Sequence, residues 1–158
     1  MSFLRVSSIR IGGFDRVLAM LAVGLWAATA DDRRAIWALP VTFVAAMFAG
    51  FALGAHHIPL PAVEPMILAS SILLGLAVAL ALRPALSFAL PVVAAFGAMH
   101  GHAHGAEGPA SGLLAYAAGL GLATIALHMA GIGLGRLGAT RILGGATALA
   151  GVALAVAA

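Results

Sequence analysis

Residues Met99 to Glu107 read Met-His-Gly-His-Ala-His-Gly-Ala-Glu, and they place three of the chain's six histidines and one of its five acidic residues within nine positions. Their surroundings are almost entirely Ala, Leu, Gly and Val. Imidazoles and a carboxylate are costly to bury in an apolar chain unless they have partners. A cation that takes several nitrogen and oxygen ligands is the simplest partner. On a continuous helix His100 and His104 share one face, and Glu107 extends that stripe by a turn. Two imidazoles and a carboxylate on adjacent turns suit a divalent first-row ion such as nickel, cobalt or zinc. His102 points away from the stripe, as a separate ligand or a residue at the mouth. The chain has no cysteine, so thiolate ligation and disulfides are excluded.

The elements that must hold this stretch are membrane helices. Hydrophobic residues make up 63% of the chain, charged residues 8%, and the mean hydropathy is +1.13. A soluble domain carries roughly a quarter charged residues. Apolar runs of about 20 residues match the span of a bilayer as helix, and nothing alternates as a barrel strand would. The expected fold is all-α, a single polytopic bundle over 1–158 with about six helices. A short amino-terminal extension (1–10) precedes segments at about 11–30, 35–55, 62–82, 85–104, 111–134 and 142–157. Asp15-Arg16 interrupts the first apolar run, so no cleavable signal of the usual form is expected.

All eight basic residues are arginines, scattered at segment ends. They make no nucleic-acid patch. If the turns after the first, third and fifth segments are cytoplasmic, those turns hold Arg33, Arg34, Arg83, Arg136 and Arg141, which puts both termini outside. Counting helical rise from those arginines puts Asp15 and His100 roughly 24 Å up and Glu64 roughly 28 Å up. Three helices thus bring polar groups to one level, where Asp15 or Glu64 can complete the coordination of His100 and His104. The same count leaves His128 only roughly 12 Å up, as a second station. Gly97, Gly101 and Gly105 form a row at spacing four that admits a neighbouring helix.

Each of these residues also has a plainer reading. Histidines at a membrane edge can be merely solvated, and His56-His57 lies in a Pro-rich turn. Glu64 can serve the dipole of the third helix, Asp15 can pair with Arg10 or Arg16, and His128 can bond to Thr124 or a backbone group. Met20, Met47, Met66, Met99 and Met129 read as packing residues. A metalloenzyme would need a general base and an open coordination position, and no Ser, Thr or Tyr clusters with the histidines. A haem carrier would use histidines as axial ligands. No G-x-x-x-x-G-K loop is present, which argues against direct use of ATP.

The string His100-Gly101-His102-Ala103-His104-Gly105-Ala106-Glu107 resembles the second signature of the HupE/UreJ family of nickel and cobalt permeases. Leu18 to Trp26, Val63-Glu64-Pro65 and His128 to Gly135 are similar to the same family, and the likeness runs from about Gly13 to the end. The family's first signature has a histidine, five residues, then Asp-His. Asp15 matches the aspartate, whereas Ile9 and Arg16 stand where the histidines belong. The resemblance implies a bacterial inner-membrane permease supplying nickel or cobalt to hydrogenase or urease systems, with no organic cofactor. It implies a site of Asp15, His100 and His104 with Glu64 and Glu107 as supporting acids. His102, His56 and His57 would then recruit metal at the outer mouth, and His128 would relay it. A non-transporting membrane metal chaperone is the alternative. The expected partners are the metal ion, the bilayer, nickel-enzyme maturation proteins and a second copy of the chain.

Overall fold

The computed structural model describes residues 3–157, with side chains described from Gly13 onward. It is all-helical: α1 (Phe3–Thr29), α2 (Ala35–Ala55), α3 (Val63–Ala79), α4 (Leu86–Ala106), α5 (Leu113–Arg136) and α6 (Thr140–Ala157). Among the described residues, α2, α4, α5 and α6 are long and apolar enough to cross a membrane, and α3 is a shorter apolar helix. The chain is a helical membrane bundle. Its outer surface carries Phe14, Trp37, Val41, Leu114, Leu122 and Leu149 exposed, as lipid contact demands. The interior holds Asp15, Arg16, His100, Thr124 and His128. Polarity is thus turned inward, the arrangement a hydrocarbon solvent imposes.

The third helix stops at Ala79, short of the run to Leu82 that hydropathy suggests, because the chain turns at Ala81 through a left-handed backbone (φ 51°) before Arg83-Pro84. Proline also falls inside two helices, Pro40 in α2 and Pro91 in α4. Each is the sixth residue of its helix, past the first turn, so the carbonyls of Ile36 and Ser87 lose the N–H that a helix would otherwise bring them.

Helix α1 is the axis of the bundle, packed against α5, α3, α2 and α6. Ala19, Ala22, Val23, Leu25 and Ala27 are fully buried on it. The Trp26 indole N–H donates to the Leu82 carbonyl at 2.9 Å, tying α1 to the turn between α3 and α4. The same end of the bundle carries the Arg83–Asp31 ion pair, which is exposed. The opposite end carries the α2–α3 and α4–α5 loops and Glu107. These are called below the Arg83 end and the Glu107 end.

The tightest contact joins α2 and α4, which run parallel. A Cβ on Gly97, Gly101 or Gly105 would run into the backbone carbonyls of Phe43, Met47 and Phe51 respectively, and one on Gly50 or Gly54 would meet those of Ala98 and His102. The glycine row of α4 does admit a neighbour, but that neighbour is α2 and not a helix bearing Asp15 or Glu64. Small residues let two backbones touch where no hydrophobic effect drives helices together. The α1–α5 pair is built in the same way, with Gly24 against the His128 carbonyl and Gly131 against that of Leu21. These contacts fix the rotation of the helices that carry the histidines.

Substituting Gly101→Ala should destabilise the bundle by about 1–3 kcal/mol, because the carbonyl of Met47 cannot yield as a side chain would. Gly119→Ala, where nothing lies within 4 Å of the added carbon, should be neutral or stabilising by about 0.5–1 kcal/mol. Thermal unfolding in detergent reads both; equal midpoints for the two variants would contradict this packing.

Candidate functional site

The centre of the Glu107 end is a guanidinium. Arg16 reaches from α1 to Glu107 at the end of α4, with Nη1 to Oε2 at 2.8 Å and Nη2 to Oε1 at 2.9 Å. Its Nη2 also lies 3.5 Å from Glu64 Oε1 in the first turn of α3. The paired geometry matches the planar fork of arginine to a carboxylate. The Arg16 side chain is 10% exposed, whereas those of Glu64 and Glu107 are 59% and 55% exposed. The cation is therefore drawn inward while its two counter-charges keep contact with the outside. The hydrogen bonds from Arg16 hold the Glu107 carboxyl below the usual carboxylate range.

Asp15 is buried beside this pair, at 2% exposure. Its Oδ1 accepts the Arg16 backbone N–H at 2.7 Å. The local partner of Asp15 is thus the backbone of Arg16, while the Arg16 side chain turns away to the two glutamates. Ile9, which stands where the family's first signature has a histidine, lies outside the residues whose side chains are described.

The histidines fall into different environments. His100 is fully buried, and its Nδ1–H donates to the Phe96 carbonyl one turn back at 2.8 Å. That bond fixes the tautomer, leaving Nε2 as a bare lone pair. Nε2 has no partner. His104 shares a hydrogen bond between its Nδ1 and the Tyr116 hydroxyl at 3.2 Å. His102 leaves the interior altogether, and its Nε2–H donates to the Ile58 carbonyl at 2.8 Å, stapling α4 to the α2–α3 loop. His56 and His57 are exposed on that loop.

His128 of α5 is buried at 1% exposure, and neither ring nitrogen has a partner. The Thr124 hydroxyl does not satisfy it, being turned towards Met20 and Met47. An apolar cleft of about 330 Å³ between α2 and α5, lined by Trp37, Pro40, Val41 and Ile125, reaches it. The helical-rise count sets His128 roughly 12 Å deeper than His100, and one ring bridges that interval. The buried Phe43 of α2 packs against His100 with centroids 5.4 Å apart and against His128 edge-on at 5.1 Å. The parallel packing of α1 with α5 and of α2 with α4 brings this about, which counting along isolated helices does not capture.

Among the described residues, no three His, Asp or Glu side chains converge as a ready-made metal site. The stripe His100, His104, Glu107 is divided between the Phe96 carbonyl, Tyr116 and Arg16. The expectation that no Tyr lies with the histidines is corrected by Tyr116, whose hydroxyl meets His104. Sequence reasoning missed Phe43 between His100 and His128. It also missed the Arg16–Glu107 fork, for which a signal existed. A charge within an apolar segment must find an opposite charge, and Glu107 is one of few available.

The fork should be measurable by a double-mutant cycle. Glu107→Gln alone should cost about 1–2 kcal/mol, at the low end for a hydrogen bond to a charged group because Glu107 is half exposed. In an Arg16→Met background the same change should cost much less. Equal costs in the two backgrounds, by thermal unfolding in detergent, would mean that the pair is not formed.

The family model described as HupE / UreJ protein matches residues 9–158. Protein HupE of Rhizobium leguminosarum bv. viciae is 43% identical over 152 residues, an alignment covering 91% of this chain and 79% of that one. No solved structure matches. With a family match over nearly its whole length and a relative of this similarity, the chain belongs to the HupE/UreJ family.

Proposed function

We propose that this chain is a multi-pass inner-membrane permease for divalent nickel or cobalt, the ions that the family resemblance implies, supplying hydrogenase or urease systems. The observation that carries the reading is the set of buried imidazole nitrogens without partners: Nε2 of His100 and both ring nitrogens of His128. Leaving such groups unpaired in an apolar interior costs free energy, and a passing cation would recover it. In this reading the Arg33, Arg34, Arg83 turns face the cytoplasm, so the Glu107 end is outermost and both termini are periplasmic. Asp15, Glu64, Glu107 and His104 form the outer vestibule, His102, His56 and His57 recruit the ion, and His100 and His128 pass it inward across Phe43.

Arg16 then acts as the latch of the vestibule. Its guanidinium occupies the two glutamates that a divalent ion would otherwise meet, so entry requires Arg16 to swing aside. At short range a fixed cation opposes a metal ion by several kcal/mol or more unless it is neutralised. That occupancy also favours a second reading, a non-transporting membrane chaperone that holds metal for maturation proteins.

Nickel accumulation in cells distinguishes the two. Wild type should exceed cells without the protein, His100→Ala/His104→Ala should fall to their level, and Arg16→His should exceed wild type. Accumulation in wild type equal to the double alanine variant would overturn the permease reading. Metal bound to purified protein without uptake in cells would support the chaperone.

A further inference from the structure

The interior holds a second group of donors that the carboxylates and imidazoles do not engage. Met20 of α1, Met47 of α2 and Thr124 of α5 are buried at 4%, 0% and 0% exposure. The Thr124 Oγ1 lies 3.5 Å from Met20 Sδ and 3.5 Å from Met47 Sδ. Three helices therefore bring two thioethers onto one hydroxyl. A hydroxyl has a single proton, so it can donate to only one sulfur at a time. The other sulfur faces an oxygen lone pair at contact distance, with no proton between them. Two leucines would pack there without that mismatch.

The surroundings add donors but no free charge. His128 follows Thr124 by four residues on the same face of α5, and Phe43 precedes Met47 by four on α2. Phe43 carries His100 and His128 against its ring, and the unpartnered His100 Nε2 and His128 nitrogens belong to this same interior. Arg16, four residues before Met20, is committed to Glu107 and Glu64.

We propose that Met20, Met47 and Thr124 form a binding site for a soft monovalent d¹⁰ cation, copper(I) or silver(I), with the neighbouring imidazoles as further donors. Thioethers select soft cations. A single positive charge carries a smaller desolvation penalty than a double one where the donors are thioethers. The rotatable bonds of methionine let the two sulfurs close on an ion from their present spacing. The site stands on its own donors, whether or not the imidazoles carry nickel or cobalt.

The test uses the full-length protein in detergent, titrated anaerobically with copper(I) against a chromophoric chelator, with copper X-ray absorption on the loaded sample. Wild type should bind one copper(I) per chain with sulfur in its coordination shell. Met20→Leu/Met47→Leu, close to volume-conserving, should weaken copper(I) binding by about tenfold or more and remove the sulfur scattering. Nickel accumulation in cells should stay at the wild-type level. Unchanged copper(I) affinity in the leucine variant, or sulfur scattering that persists in it, would overturn the proposal. Should the double variant unfold, Met20→Leu and Met47→Leu singly carry the same comparison. Loss of the nickel reading would appear separately, as wild-type accumulation no higher than that of cells without the protein.

Discussion

A polar side chain inside this bundle has no water to turn to, and that constraint orders the rest of the structure. Every interior hydrogen-bonding group must find a partner within the protein, await a ligand, or remain at a cost. The Arg16 guanidinium answers by reaching between helices to Glu107 and Glu64. His100 answers with half of its ring, through the carbonyl of its own preceding turn. His128 does not answer at all. The gradation has a direction: the charges at the Glu107 end are paired through the Arg16 Nη atoms, with only its Nε lacking a partner, and the unpaired neutral donors lie deeper.

That ordering sorts the donors by chemical hardness as well. The Glu64 and Glu107 carboxylates, which suit hydrated divalent ions, keep contact with the outside, and that of Asp15 is buried just beneath them. Imidazoles and thioethers, which suit ions stripped of water, are buried. In the proposed permease, a divalent ion moving inward would exchange charged oxygen ligands for neutral nitrogen. The interior therefore discriminates by the nature of its donors as well as by its width.

The membrane bundle, the count of its helices and the weight of the His100–Glu107 stretch were legible in the sequence, because they follow from run length and from the cost of burying polar groups. Which side chains would meet was much less legible. In a soluble helix the apolar stripe announces the inward face. Here Ala, Leu, Gly and Val occupy every face, so the pattern does not set the rotation. The glycines set it, and Gly97, Gly101 and Gly105 point to close packing without naming α2 as the partner. The partner of Arg16 lies 91 residues away, beyond any local rule. His102, the central histidine of the stretch, turns to the Ile58 carbonyl because the glycine face of α4 is spent on α2. The methionines read as packing residues because a thioether is as apolar to a pattern as leucine, and the pattern could not show Thr124 meeting Met20 and Met47.

The backbone contact between α2 and α4 has a mechanical consequence. Glycines on each strand of the pair rest on carbonyls of the other, so neither helix can rotate or slip without driving backbone into backbone. The two form one stiff spar, and Phe43, Met47 and His100 are mounted on it as fixed fittings. Helix α1 is pinned at one end by the Trp26 indole at Leu82, locked along its middle to α5 by the Gly24 and Gly131 contacts, and tied towards its other end to α3 and α4 by Arg16. The Arg16 fork is thus the one of these three ties that depends on charge, and the other two rest on a neutral hydrogen bond and on backbone contact.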